Sequence, residues 1–229
     1  MSRSQLALPF VHTPDYAGWA WLTHEGSREA EAWLLREDWP GGRLALWGDA
    51  GTGKTHLLHR WADVHGASLG LVDGWPRGPV ALDDADTVPE GALLHLLNAA
   101  QEAGHPVLLA ARNPPGRWGT ALPDLRSRLR ACPTAALVPG DEFFLSLLLS
   151  RLLAERQVTV RPSLQRWMLT RLPRDAGVLR EAAARLDAAA LASGRAVTQA
   201  LIASALAEYL DDTFPAPEPA LSPEPTCLL

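Results

Sequence analysis

The sequence predicts an α/β fold: a five-stranded parallel sheet built around a phosphate-binding loop, followed by a smaller domain made only of helices. Three observations predict it. The segment Gly48-Asp49-Ala50-Gly51-Thr52-Gly53-Lys54-Thr55 fits G-x-x-x-x-G-K-[ST] and lies between a short apolar run and a helical pattern. Short apolar runs then alternate with helical stretches up to Pro139, as in parallel sheets covered on both faces. Beyond Pro139 only helical periodicity remains.

Taken in order, residues 1–15 carry no sustained periodicity and are read as a flexible arm. Ser27 to Arg36 is helical, with Ala30, Trp33 and Leu34 on one side, and Asp38-Trp39-Pro40-Gly41-Gly42 is a turn. Arg43 to Trp47 is the first strand. Lys54 to His65 is a helix that gathers Leu57, Leu58, Trp61 and Ala62 on one face. Further strands are expected at Ser68 to Val72, Val80 to Leu82, Val107 to Ala111 and Ala135 to Val138, with a helix over Leu93 to Ala103. These elements define an α/β domain over residues 16–139. Helices opened by Asp141, Pro162, Asp175 and Val197 then form a bundle over residues 140–210. The proline-rich tail, 211–229, is read as disordered.

Composition narrows the function classes. A chain of 229 residues that is 47% hydrophobic can bury a sizeable core. Its net charge of -5 argues against extensive direct contact with nucleic acid, which needs a basic face. Cys132 and Cys227 lie far apart and suggest neither a disulfide framework nor a metal spacing, so a reducing cytoplasm is the expected compartment. The longest apolar run, Phe143 to Leu149, is too short to cross a bilayer, and no membrane partner is expected.

The chemistry concentrates in few places. In the glycine loop, backbone N–H groups turn inward toward phosphate oxygens, Lys54 adds a charge for the outer phosphates, and Thr55 offers a hydroxyl to Mg²⁺. Asp83 and Asp84 end a buried strand, at the edge where ligands of parallel sheets gather. Asp83 is placed on the metal side and Asp84 beside the attacking water. Both could instead be solvated cap residues. Arg126, Arg128 and Arg130 alternate in Leu122-Pro123-Asp124-Leu125-Arg126-Ser127-Arg128-Leu129-Arg130. They read either as a solvated face or as the source of a cation that reaches a neighbour's γ-phosphate, an effect worth roughly 10³–10⁵ in rate. The hexapeptide Gln5-Leu6-Ala7-Leu8-Pro9-Phe10 is apolar and sits on the arm. Burying Leu6, Leu8 and Phe10 in a partner's pocket would contribute about 1.5–3 kcal/mol each.

These residues carry a resemblance. Gln5 to Phe10 resembles the Q-L-x-L-P-[LF] motif with which bacterial proteins dock on the DNA polymerase sliding clamp. The P-loop continued by Thr55-His56-Leu57-Leu58-His59, the Asp83-Asp84 pair and the Leu122 to Leu129 stretch resemble the ATPase domain of the bacterial initiator DnaA. The combination is similar to the Hda-type regulatory inactivators within the DnaA-related AAA+ family. That resemblance implies an AAA+ fold with a helical lid, bound ADP or ATP with Mg²⁺, and two partners: the clamp through Gln5, Leu6, Leu8, Pro9 and Phe10, and ATP-bound DnaA. DNA would be reached indirectly through the clamp, and self-association is possible within such a family. It implies that Arg128 is the trans-acting arginine finger, and that the chain activates a partner's ATPase more than it hydrolyses ATP itself.

Two positions depart from the family pattern. The segment Ala110-Ala111-Arg112-Asn113 places Arg112 by register where an acidic or amide residue is usual, although Asn113 beside it can supply the polar group. Gly177 stands where the lid usually supplies an arginine, and Arg180, one turn later, is the nearest substitute. Two other readings remain: a self-contained P-loop ATPase or kinase, and a replication-protein adaptor without trans-activation.

Overall fold

The computed structural model describes residues 22–36, 38–72, 74–194 and 196–210. The expected clamp-binding residues Gln5, Leu6, Leu8, Pro9 and Phe10, and the expected disorder of 211–229, lie outside the described residues.

Five strands, β1 (Arg43–Trp47), β2 (Ser68–Leu69), β3 (Val80–Leu82), β4 (Val107–Ala111) and β5 (Thr134–Ala136), form one parallel sheet in the order β2-β3-β4-β1-β5. The glycine-loop strand is therefore flanked on both sides, Leu44 pairing with Leu108 and Leu46 with both Ala110 and Ala135. The central strands are apolar along their length because both faces are covered. One face packs Leu44, Leu46, Leu108 and Ala110 against α1 (Arg28–Leu34) and α2 (Lys54–His65), with Trp39 and Trp61 tilted against each other at 5.2 Å. The other packs Ala45, Leu82, Val107 and Leu109 against α3 (Glu90–Ala103) and α4 (Pro123–Arg130).

Two strands are shorter than expected. β2 stops at Leu69 rather than Val72, because Gly70 turns to φ +84 while its N–H still reaches the Ala81 carbonyl. Both β2 residues are exposed, so no second face holds the edge flat. β5 ends at Ala136 rather than Val138. The Leu137 N–H still bonds the Trp47 carbonyl, but Val138 turns away and pairs with Gly26, tying the chain before α1 to the sheet. In contrast, α3 begins at Glu90, ahead of the expected Leu93. The Glu90 carboxylate accepts from the Ala121 and Leu122 N–H groups at 2.8 and 2.9 Å, which holds its carboxyl below the usual range.

The last four helices, α5 (Glu142–Glu155), α6 (Pro162–Leu169), α7 (Ala176–Ser193) and α8 (Gln199–Ala205), have their own core. Leu149, Leu152, Met168, Ala183, Leu186 and Ile202 are fully buried in it. Three of these helices start on side-chain caps: Asp141 to the Phe144 N–H, Asp175 to those of Gly177 and Val178, and Thr198 to that of Leu201. α8 is shorter than the expected Val197 to Leu210; the residues after Ala205 form turns, which Arg185 holds through Glu208 and Tyr209. Among the described residues no helix is long and apolar enough to cross a membrane.

Candidate nucleotide-binding crevice

The glycine loop joins the C-terminal end of β1 to the start of α2, a position where helix N–H groups favour an anion. Gly51 (φ +74) and Gly53 (φ +96) are left-handed, a conformation that side chains oppose. The loop braces itself: the Thr52 hydroxyl donates to the Asp49 carbonyl at 2.9 Å. Lys54 is only 9% exposed and donates to the Gly48 and Asp49 carbonyls at 2.8 and 2.7 Å. Burial lowers the Lys54 pKa, and nearby Arg112 adds to this, while Asp83, Asp84 and Asp49 oppose it. A phosphate placed in the loop would give this ammonium a close negative partner.

The Thr55 hydroxyl donates to Asp83 Oδ2 at 2.7 Å, so these two sequence-predicted metal-side groups meet at the loop. Such a pair, a hydroxyl and a carboxylate beside a phosphate loop, suits the sparse protein ligation of Mg²⁺. Asp84 is exposed, donates its N–H to Asp83 Oδ1 at 3.0 Å, and holds φ +46, which aspartate tolerates better than most residues. Among the described residues no group of three or more histidine, cysteine and acidic side chains forms a metal cluster.

A crevice separates the loop from the helical domain and has two unlike halves. The polar half, about 200 Å³, is lined by Lys54, Thr55, Asp175, Gly177 and Arg180. The mainly apolar half lies between Leu22, His24, Pro139, Phe144 and Leu148, with Arg151 and Arg174 also on its lining. Gly51, Gly53, His56, Ala176 and Arg180 border both. An elongated ligand with an anionic end and a flat, weakly polar end matches that division. Within the apolar half, His24 packs on Phe144 at 4.3 Å between ring centroids. Burial lowers the His24 pKa against the pull of Glu31 and Asp141, which favours a neutral ring.

Sequence reasoning missed His24 and Asp175. His24 belongs to no motif. Asp175 was legible as a helix start, but its approach to the loop was not: a Cβ at Gly51 would overlap the Asp175 carboxylate. Arg180 does reach the crevice, one turn along α7 from Gly177.

Arg128 is elsewhere. Its Nη1 donates to Gln101 Oε1 at 2.7 Å, and its Nε lies 3.2 Å from Asp124 Oδ1. The same Gln101 oxygen accepts from Arg43, the first residue of β1. Arg128 therefore stands at the N-terminal edge of the sheet, while the glycine loop leaves the C-terminal edge, about 15 Å away for a strand of this length. It does not line its own crevice.

No protein family's sequence profile and no curated protein matches this chain. Solved structures do. Domain III of the replication initiation protein DnaA from Thermotoga maritima superposes with a TM-score of 0.74 at 17% identity, over 86% of this chain and 98% of that one. A replication initiator DnaA bound to AMPPCP and single-stranded DNA gives 0.57 at 17% identity, over 72% of this chain and 62% of that one. The Holliday junction branch migration motor RuvB from Thermotoga maritima gives 0.58 at 17% identity, over 80% and 66%. At this level of identity the likeness is one of fold: the chain has the AAA+ architecture shared by DnaA and RuvB, with a five-stranded parallel sheet at its centre.

Proposed function

We propose that this chain is a regulator of replication initiation that binds ADP or ATP with Mg²⁺, docks on the DNA polymerase sliding clamp, and promotes hydrolysis of the ATP held by DnaA. Phosphate would lie on the N–H groups of Gly51 to Thr55 and against Lys54. Thr55 and Asp83 would hold Mg²⁺, Asp84 would orient water, and Arg180 would close the lid side. The clamp contact would be made by Gln5, Leu6, Leu8, Pro9 and Phe10, and the site of action would be cytoplasmic.

The observation that carries the reading is the placement of Arg128. A partly exposed guanidinium at the sheet edge away from its own loop cannot serve its own triphosphate, but it can serve one on a neighbouring subunit. There it would offset the charge that builds on the γ-phosphate as water attacks. The DnaA-like fold supports a partner of the same shape, whose own crevice this edge would face.

The test is a reconstituted assay with clamp loaded on DNA, ATP-bound DnaA and this protein. Faster loss of DnaA-bound ATP on addition of the chain, dependent on Arg128 and on Gln5 to Phe10, is expected. Hydrolysis unchanged by its addition would remove the trans-acting role. One observation favours a second reading, a self-contained P-loop ATPase or kinase: Thr55 and Asp83 are already paired with Asp84 beside them. Robust turnover by the isolated protein, lost in Asp84→Asn, would favour it.

A further inference from the structure

We propose that Asp175 is a specificity-determining residue of the crevice: its carboxylate, held against the glycine loop, disfavours a triphosphate more than a diphosphate. The inference rests on the nucleotide reading above and assigns the polar end of that site a discriminating group.

Four observations converge. Asp175 lies in the polar half of the crevice, with Lys54 and Thr55, and not in the apolar half. Its carboxylate approaches Gly51 so closely that no Cβ would fit between them. It is fixed there, because Oδ1 accepts from the Gly177 N–H at 2.6 Å and the Val178 N–H at 3.2 Å. Those N–H groups open α7 and would otherwise favour an anion, so the residue both consumes the local donors and adds a negative charge of its own. The first turn of α7 carries no cation of its own, since Gly177 has no side chain; Arg180, one turn later, lines the same half and offsets the Asp175 charge only in part. Each phosphate added toward Lys54 and Thr55 thus meets a carboxylate that cannot swing away without uncapping a helix.

The test compares the full chain with Asp175→Asn, which removes the charge and keeps a good helix cap. Calorimetry with Mg-ADP and Mg-ATP gives the ratio of the two affinities at low and high salt. Removing one partly solvated charge should strengthen ATP binding about threefold to tenfold more than ADP binding, and the gain should shrink with salt. A purely structural role for Asp175 would weaken both nucleotides together and leave the ratio unmoved, which overturns the proposal. Wild-type protein that binds neither nucleotide overturns the underlying reading instead, so the two failures are distinguishable. Should Asp175→Asn lose helical content, Asp175→Ser keeps an oxygen cap without charge and decides the same ratio.

Discussion

The two edges of the parallel sheet handle charge in opposite ways. At the C-terminal edge, Lys54, Thr55, Asp83, Asp175 and Arg180 converge from three elements on one crevice. At the N-terminal edge, Arg43, Gln101, Asp124 and Arg128 share hydrogen bonds around a single amide oxygen, and the Arg128 side chain remains 26% exposed. The first edge is concave because two layers, sheet and lid, face each other across it. The second bears only an open depression lined by Asn98, Gln101, Glu102 and Arg128, and its cation is held by contacts weak enough to exchange. An exposed i,i+4 ion pair such as Asp124–Arg128 contributes only about 0.3–0.5 kcal/mol, so a strongly anionic partner can displace it. The contrast suggests that one edge receives a ligand and the other presents a group.

The largest effect should come from separating these roles. Arg128→Ala is expected to lower stimulated hydrolysis of partner-bound ATP by about 10³ or more. The affinity of the chain's own site for nucleotide should stay within about twofold. If calorimetry found both properties falling together, the two edges would not be independent.

Lys54→Ala inverts that pattern. Loss of the buried ammonium should weaken nucleotide binding by roughly 10–100-fold, the range for hydrogen bonds to a charged group. The ligand-free melting temperature should hold or rise, since burial already disfavours the charged form of Lys54. A sharp fall in ligand-free stability would show Lys54 to be a structural strut instead.

Glycines sharpen the comparison further. Gly51 and Gly104 both have positive φ, +74 and +71, but only Gly51 has an obstruction facing its missing side chain. Gly51→Ala should cost about 2–3 kcal/mol and abolish nucleotide binding. Gly104→Ala, near the other edge, should cost about 1 kcal/mol and leave binding intact. Denaturant unfolding combined with nucleotide titration measures both.

The last expected effect, confined to alkaline solution, is a pH dependence at the N-terminal edge. Burial pushes the Cys132 thiol from 9.0 up to about 12, against the pull of Arg43. The folded state therefore prefers the protonated thiol. This contribution is fully present below pH 9 and is lost as the pH rises from there toward 12. By pH 10 the loss should be about 1.4 kcal/mol, and Cys132→Ala should flatten it. An unchanged alkaline slope in that variant would assign the effect to other groups.

Much of the candidate site was legible because it is encoded in adjacent residues. The glycine loop, β1 before it and α2 after it are one continuous segment, and their contacts follow from chain connectivity. The caps at Asp141 and Asp175 were legible for the same reason, since a cap bonds two or three residues ahead. The strand edges were harder. Edge strand β2 and the end of β5 depend on what lies opposite, and Gly26 takes Val138 from a point 112 residues earlier in the chain.

By itself, then, the sequence determined the local chemistry: which residues can grip phosphate, where helices begin, and that a parallel sheet gives way to a helical domain. Only the tertiary structure decided that Asp175 presses on Gly51, that His24 joins the apolar half of the crevice, and that Arg128 stands away from its own loop. The physical reason is range. Backbone preference, capping and periodicity act within a turn or two, whereas these juxtapositions are fixed by how a twisted sheet orders its strands and where a separately packed lid comes to rest.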